Sequence, residues 1–353
     1  MSTHNHNSES KITSFFDERF DLSPIKRWIE HKSVPQHKHS FWYYFGGLAL
    51  FLITVQIITG ILLAFYYSPN PATANESVRY IMEQVHYGWL IRSIHFWGAN
   101  FLIAVVLVHM FSAFFMKAYR KPRELMWILG VLILGLVLTF SFTGYLLPWT
   151  TLSYFATKVG VNTPMVLPVI GNFISGIMQG GEDVGAATLT RMFTLHTVIL
   201  PLTAVLLISL HVLLSQVLGS SVPVSITKLD GETKFFPNFM MRDAAVWSGT
   251  FAILLAFASV FPASLDAKVN PILPAPAGIK PEWYFLFIFQ TLKTIPEIAA
   301  VGVVTIGGLV WLMVPFLDRK PANRKPFFTL FGIGVIVYTV TMTVIAYITT
   351  AQN

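Results

Sequence analysis

Residues 89–116 read WLIRSIHFWGANFLIAVVLVHMFSAFFM, a stretch of 28 residues in which Arg92 is the only charged residue. A bilayer hydrocarbon core requires about 20 apolar residues in a helix, and this stretch exceeds that length. Two histidines, His95 and His109, lie inside it. Because ionisable side chains in a membrane span are costly and usually functional, this segment indicates both the fold class and the place of a site.

The whole chain has the composition of a membrane protein. Of its 353 residues, 54% are hydrophobic and 12% are charged, whereas a soluble domain carries about 25% charged residues. The predicted spans are residues 41–67, 89–116, 125–148, 192–218, 244–262, 297–317 and 327–350. The predicted fold class is therefore an all-α polytopic membrane protein with seven transmembrane helices.

The basic residues predict the orientation of the spans. Of the 24 lysines and arginines, 17 fall before the first span or in the loops after the second, fourth and sixth spans. Because cytoplasmic loops are enriched in Lys and Arg, the N-terminus is predicted to be cytoplasmic and the C-terminus to lie on the outer side. Membrane topology thus accounts for the net charge of +7, and no nucleic-acid partner is expected.

Four histidines lie inside predicted spans, two on the second span and two on the fourth. His95 and His109 are 14 residues apart. His196 and His211 are 15 residues apart, with Pro201 between them. Fourteen residues bring a helix back to nearly the same face about 21 Å along its axis, and a proline kink can absorb one more residue. His95 is predicted to face His196 near the outer side. His109 is predicted to face His211 near the inner side.

Two bis-histidine sites stacked across a membrane are suited to two b-type haems, whose six-coordinate iron transfers electrons. A histidine in a span can instead serve as a buried polar contact between helices, but four histidines paired at matching depths favour a metal. Zinc would require a third and a fourth protein ligand. The chain has no cysteine, so thiolate metal sites and iron–sulfur ligation are excluded.

Glycines on the neighbouring spans repeat the same spacing. Gly46 and Gly60 on the first span are 14 residues apart, and so are Gly130 and Gly144 on the third span. A flat porphyrin edge between helices requires positions without side chains. The glycines are therefore predicted to lie beside the two haems, with Gly60 and Gly144 at the outer depth.

Two arginines lie near the outer histidines. Arg92 precedes His95 by three residues, and Arg191 precedes His196 by five. Both are predicted to neutralise propionates of the outer haem. The alternative is that each arginine snorkels from a helix end to the interface.

Five features of the sequence occur together: WLIRSIH (89–95), the four span histidines, GYLLPW (144–149), TLTRMFTLHT (188–197) and PEWYF (281–285). With them the chain resembles cytochrome b of the cytochrome bc complexes, over nearly its whole length beyond about residue 15. KPRELMW (121–127) resembles the chloroplast-type branch, in which the four-helix and three-helix parts are separate polypeptides. Here both parts form one chain, as in the mitochondrial type, so the chain resembles a fused hybrid.

The predicted organisation has four regions. Residues 1–40 form a cytoplasmic tail and interfacial segment, 41–218 a four-helix di-haem bundle, 219–240 a cytoplasmic linker, and 241–353 a three-helix C-terminal part with an outer PEWY loop. Chloroplast-type proteins attach a third haem through a cysteine at the position of Tyr44. Because this chain has no cysteine, a covalent c-type haem is excluded.

The resemblance implies the catalytic subunit of a quinol–cytochrome c reductase type of complex. Quinol would be oxidised at an outer site, where Glu282 accepts a hydroxyl proton, Tyr284 helps to position it and Tyr145 lines the site. One electron would leave to a Rieske iron–sulfur protein. The other would cross the membrane through both haems to a quinone at an inner site. There Asp243 would donate a proton, with Arg242 nearby.

The resemblance also implies partners and a location. These are the Rieske protein, a c-type cytochrome subunit, quinone and the lipid bilayer of a bacterial cytoplasmic membrane, in a homodimeric complex that contributes to proton translocation. Two alternatives stay open. A di-haem membrane anchor of a dehydrogenase would explain the histidines but not PEWY. A proton-coupled transporter would leave the glycine spacing unexplained.

Overall fold

The computed structural model describes residues 31–319 except residue 224, residues 327–350, and isolated positions at 15, 18–21 and 24. Within these residues the fold is all-α apart from two short strands, and seven helical segments are long and apolar enough to cross a membrane. Most of the predicted N-terminal tail lies outside the described residues. So do the chain end at 351–353 and six of the basic residues used for orientation, Lys11, Lys26, Arg27, Lys320, Arg324 and Lys325.

The α-helices are joined by connections that range from a few residues to more than 20 residues. In chain order they are α1 (Tyr44–Ala64), α2 (Ala74–Glu83), α3 (Gly88–Phe115), α4 (Glu124–Leu146), α5 (Thr151–Asn162), α6 (Gly171–Gln179), α7 (Ala186–Thr194), α8 (Leu200–Leu218), α9 (Met240–Val260), α10 (Leu286–Thr294), α11 (Glu297–Leu317) and α12 (Phe327–Thr350). The seven spans are formed by α1, α3, α4, α7 with α8, α9, α11 and α12. The predicted spans are therefore confirmed.

Two span boundaries differ from the prediction. The fourth span begins at Ala186 and the fifth at Phe235, whereas the sequence placed them at 192 and 244. The fourth helix begins in the more polar residues 186–191, and in the fifth span a short kinked segment, Phe235–Phe239, precedes α9. An apolar run marks the hydrocarbon core rather than the helix end.

Shorter helices fill the loops. α5 and α6 lie between the third and fourth spans, and a capping box of Thr150 with Ser153 begins α5. α10 ends before Pro296, as the proline predicts. α2 was not predicted. It buries Val78 and Ile81 and leaves a polar face, a pattern too short to recognise as a helix from hydropathy alone.

Contacts between loops show that the spans alternate in direction. Strand β1 (Ser33–Gln36) pairs antiparallel with β2 (Gly231–Lys234), which joins the segment before α1 to the loop before α9. At the other end, Lys268 forms a backbone bridge with Thr150, and its Nζ lies 2.7 Å from the carboxylate of Glu76. We call the end with β1 and β2 the inner end, and the end with α2, α5 and α6 the outer end.

The main hydrophobic core joins the two halves of the chain. It contains Leu52 and Ile103 from the first two spans together with Leu254, Ala258 and Tyr284 from the second half. A second cluster underlies the outer loops, and a third lies at the inner end around Phe114 and Trp311. The division at residues 219–240 remains a prediction, and the parts on either side of it share one core.

A buried carboxylate connects the loop after α3 with the end of α11. Asp318 accepts hydrogen bonds from Tyr119 Oη at 2.6 Å and Arg120 Nη2 at 3.0 Å, and Lys117 Nζ lies 3.3 Å away. The Asp318 side chain is 11% exposed. Burial alone would raise its pKa, but the hydrogen bonds from Tyr119 and Arg120 and the two cations hold that pKa below its usual range.

Asp318→Asn is expected to lower the free energy of unfolding by about 2 kcal/mol, because a hydrogen-bonded buried charge is removed and two cations lose their counter-ion. Thermal unfolding of the purified protein in detergent measures this. Glu83→Gln, which neutralises an exposed acid at the end of α2, is the control and should change stability by less than about 0.5 kcal/mol. Equal melting temperatures for the two variants would contradict the prediction.

Candidate functional site

His95 on α3 and His196 in the fourth span face each other inside the bundle. Their ring centroids are 6.3 Å apart, and the ring planes are inclined by 73°. An imidazole nitrogen binds a metal at about 2 Å and the ring centre lies about 1 Å behind it, so two imidazoles on opposite sides of one metal have centroids about 6 Å apart. The spacing of this pair therefore fits a single metal ion held between the two rings.

A π-helical segment absorbs the extra residue of the fourth span. In Leu195–Ile199 the N–H of Leu200 donates to the carbonyl of Leu195, five residues earlier. A π turn inserts one residue into a helix, and Pro201, which follows at once, has no N–H to continue the normal ladder. The adjustment predicted near Pro201 is thus a π-helical segment, and His196 lies within it.

Two threonines hold the outer imidazoles. Thr59 Oγ1 lies 2.9 Å from His95 Nδ1, and Thr143 Oγ1 lies 3.1 Å from His196 Nδ1. Each hydroxyl donates to a carbonyl of its own helix, so it accepts from the imidazole. This arrangement places the proton on Nδ1 and leaves the Nε2 lone pair for a metal. Neither threonine was predicted to belong to the site.

Glycines allow α1 and α4 to approach the outer rings. A Cβ added to Gly60 would lie 3.3 Å from His95 Cε1, and one added to Gly144 would lie 2.6 Å from His196 Cε1. Gly135, also on α4, was not predicted to belong to the site, and no described atom lies within 4 Å of a Cβ added there. Gly60 and Gly144 therefore differ from Gly135 in that each faces a histidine ring.

Each ring of the inner pair also faces a glycine of a neighbouring span. A Cβ added to Gly46 would lie 3.2 Å from His109 Cε1, and one added to Gly130 would lie 3.4 Å from His211 Cε1. The Nδ1 atoms of both inner histidines are buried, and neither makes a hydrogen bond of normal geometry to any described residue. The inner pair thus lacks the threonine contacts of the outer pair.

The two arginines that were predicted to neutralise haem propionates donate hydrogen bonds to backbone carbonyls in the structure. Arg92 donates to the carbonyls of Ala263 and Ser264. Arg191 donates to two carbonyls near the end of α6. Their contact with haem propionates remains a prediction, and each guanidinium already has partners within the protein.

Arg123 is a cation near the inner end that sequence analysis did not select. It directly precedes α4, and its Nη2 donates to the carbonyl of Leu218 at 2.9 Å. Its Nε is buried and has no hydrogen-bond partner in the described part of the chain. A buried donor of this kind is costly unless it binds an acceptor. Its position directly before a span that carries two of the site glycines is the sequence feature that could have identified Arg123.

A cavity of about 430 Å³ lies at the outer end. Its lining includes Phe142 and Tyr145 of α4, Lys158 of α5, and Glu282 and Phe285 of the PEWYF segment. Its volume is typical of small-molecule sites, which span about 300–1,000 Å³. The structure therefore brings Glu282 and Tyr145, two residues selected from the sequence, to the walls of one largely apolar chamber.

The electrostatics of this cavity are set by burial. Burial raises the pKa of the Glu282 carboxyl above its usual range. The hydroxyl of Tyr145 is buried and has no partner among the described residues. Tyr284 packs in the main core and is not one of the described residues that line the cavity. The positioning role of Tyr284 remains a prediction.

Asp243 and Arg242 lie near the inner end of α9. The carboxylate of Asp243 packs directly on Gly47 of α1, and the preceding residue, Gly46, faces His109 about 100° around the same helix. Asp243 Oδ1 is buried, and no described residue gives it a hydrogen bond of normal geometry. Arg242 is exposed. Asp243 and His109 thus lie against neighbouring residues of α1.

Comparison with known protein families adds an independent finding. Residues 29–219 match the family described as Cytochrome b/b6/petB, and residues 268–353 match the family described as Cytochrome b(C-terminal)/b6/petD.

The chain belongs to the cytochrome b family. A "Cytochrome bc complex cytochrome b subunit" of Chlorobaculum thiosulfatiphilum is 49% identical over 337 residues, which cover 93% of this chain and 78% of that protein. Cytochrome b6 of Synechocystis sp. is 41% identical over 217 residues, which cover 62% of this chain and 97% of that protein. A solved structure named "Hyperthermophilic respiratory Complex III" has a TM-score of 0.83 and 32% identity, and the match covers 95% of this chain and 91% of that chain.

Membership in the cytochrome b family confirms the resemblance read from the sequence motifs. The b6-type first part and the C-terminal part occur in one polypeptide, which confirms the predicted fusion. Haem binding is expected of this family, so membership also argues against the alternative of a proton-coupled transporter.

Proposed function

We propose that this cytochrome b is the quinol-oxidising, electron-transferring subunit of a cytochrome bc type of complex. The observation that carries the proposal is the pairing of four histidines at two depths, with each ring facing a glycine of a neighbouring span. The relatives named above support it. The decisive experiment is a redox-titrated spectrum of the purified chain with pyridine haemochrome quantification. The expected result is two b-type haems and no c-type haem.

His95 and His196 would hold one b-type haem, and His109 and His211 would hold the second. The outer rings are spaced so that both could bind one metal ion, and the glycines keep side chains away from the rings. No group of three or more potential metal ligands occurs among the described residues, so a haem held by two histidines would suit them better than zinc. When bound, the haems would supply one-electron transfer between the outer and inner ends of the bundle.

Glu282 would bind a quinol hydroxyl in the outer cavity and accept its proton. Conversion of quinol to quinone releases two protons and two electrons, so the site needs a base. The raised pKa of Glu282 suits this task, because a base works best when its pKa approaches the operating pH. Tyr145 offers a hydroxyl that can donate to a quinol oxygen, and the aromatic wall of Phe142 and Phe285 excludes water from the ring.

Quinone would be reduced near the inner end, where two protons must be supplied. Asp243 is the proposed donor of one of them, because its carboxylate lies beside the helix that faces the inner histidine pair and its Oδ1 makes no normal hydrogen bond to the described residues. Arg242, exposed on the preceding position, would help to hold negative charge there.

The proposed function requires other subunits. Because the chain has no cysteine, the iron–sulfur centre that takes the other electron must belong to a separate Rieske protein. A c-type cytochrome subunit would take electrons onward, and the complex is proposed to be a homodimer in a bacterial cytoplasmic membrane. The basic residues support an N-terminus in the cytoplasm, and proton release outside with uptake inside would contribute to proton translocation.

His211→Ala is expected to halve the haem content, because it removes one of the two histidines that would hold the inner haem and leaves the outer pair untouched. Pyridine haemochrome quantification and the reduced-minus-oxidised spectrum measure this. His86→Ala, which removes an exposed histidine from the α2–α3 loop, should retain both haems. Loss of both haems, or of neither, in His211→Ala would count against the pairing.

Gly144→Ala is expected to perturb or remove the outer haem selectively, because the added Cβ would lie 2.6 Å from His196 and the ring must move. Gly135→Ala adds the same methyl group to the same helix at a position where no described atom lies within 4 Å, and it should leave the spectrum unchanged. The measurement is the absorbance and midpoint potential of each haem. Identical spectra for the two variants would disprove the glycine assignment.

Glu282→Gln is expected to slow quinol oxidation by about 10²-fold, the usual contribution of a positioned base. Because burial raises the pKa of Glu282, the wild-type rate should rise with pH through a value above the ordinary glutamate range. The variant should show no such rise. Glu182→Gln, at an exposed position of the outer loop, should behave as wild type. Steady-state rates across the pH range decide the matter, and a wild-type rate in Glu282→Gln would overturn the role of this residue.

A further inference from the structure

Three side chains in the outer half of α3 hold the segment that follows α9. Arg92 Nη1 donates to the carbonyl of Ala263 at 2.5 Å, and Ser93 Oγ accepts from the N–H of Ala263 at 3.0 Å. Trp97 Nε1 donates to the carbonyl of Phe261 at 2.7 Å. The start of the outer loop is therefore fixed to the helix that carries His95.

A fourth contact reaches from α3 to the PEWYF segment. Asn100 Oδ1 accepts a hydrogen bond from Trp283 Nε1 at 2.8 Å, and Asn100 Nδ2 donates to the carbonyl of Phe96 at 3.0 Å. An indole N–H can only donate, so this bond fixes which end of the amide faces Trp283. Asn100 lies inside an apolar span, where an unpaired amide would be costly.

Trp283 and Glu282 are adjacent in the chain but have different surroundings. Glu282 lines the outer cavity, whereas Trp283 binds α3, which contributes no residue to the described lining of that cavity. Glu282 also begins the tight turn Trp283–Phe285, and the N–H of Phe285 donates to the Glu282 carbonyl at 2.9 Å. Because this turn is short and hydrogen-bonded, the position of Trp283 determines the position of the Glu282 backbone.

We propose that Asn100 is a positioning residue for quinol oxidation: it anchors Trp283 and thereby keeps the Glu282 carboxylate directed into the outer cavity. This inference rests on the proposed role of Glu282 as proton acceptor. With this role, α3 would position the proposed base Glu282 as well as carry the outer histidine His95. A displacement of about 1 Å at a reacting group can cost about 10²-fold in rate.

A double-mutant cycle in the purified complex tests the proposal. Asn100→Leu removes the acceptor with a side chain of similar size, and Trp283→Phe removes the donor but keeps an aromatic ring. Each single variant is expected to lower kcat about tenfold by misplacing Glu282. KM, and the affinity for a non-oxidisable quinol analogue, should change less than about threefold. The double variant should be no slower than the slower single variant, because both changes remove the same bond.

The cycle has controls for folding and for the proposed function. Retention of both haem bands shows that each variant is assembled, and Trp283→Phe tests the bond from its other side if Asn100→Leu does not assemble. Thr54→Val, whose hydroxyl donates within its own helix to Leu50, should keep wild-type kinetics. Wild-type kcat in both single variants, or additive losses in the double variant, would overturn the positioning role. A wild-type rate in Glu282→Gln would instead show that the proposed function of Glu282 is wrong.

Discussion

An imidazole ring inside a membrane span needs space for its ring and partners for its nitrogens, and this requirement governs the arrangement of the first four spans. Hydrophobicity cannot specify that arrangement, because lipid tails are as apolar as the side chains of the helices. Close packing of the helices against the imidazole rings can specify it. α1 and α4 approach each of the four histidine rings at a glycine, and a Cβ added at Gly144 would lie 2.6 Å from His196 Cε1. The glycine spacing therefore sets which faces of the helices meet.

The two histidine pairs differ in their hydrogen-bond partners. Both outer rings donate Nδ1–H to a threonine, Thr59 or Thr143, and each threonine directly precedes the glycine that faces the same ring. The residues before the inner glycines, Phe45 and Leu129, cannot accept such bonds. A hydrogen bond at the remote nitrogen makes an imidazole a stronger donor to its metal. Threonine hydroxyls therefore hold the outer imidazoles, and the positions before the inner glycines supply no such hydroxyl.

Most of the fold and part of the site could be predicted from the sequence, because these features are specified by residues that are close together in the chain. A membrane span is specified locally by about 20 apolar residues, and helical periodicity places His95 and His109 on one face without knowledge of other helices. Tertiary contacts are not local. Neither the Asn100–Trp283 bond nor the carbonyl partners of Arg92 follow from any spacing. The threonine–glycine pairs were visible as a repeat, but their meaning required the geometry of the rings.

The outer cavity depends on both halves of the chain. Phe142 comes from the b6-type part and Phe285 from the C-terminal part, and their rings meet edge-on with centroids 6.5 Å apart. The Asn100–Trp283 bond crosses the same boundary. Because both parts belong to one chain, the contact between the two walls is intramolecular, which raises their effective concentration. Formation of the cavity then becomes part of folding of a single chain rather than a step of subunit assembly.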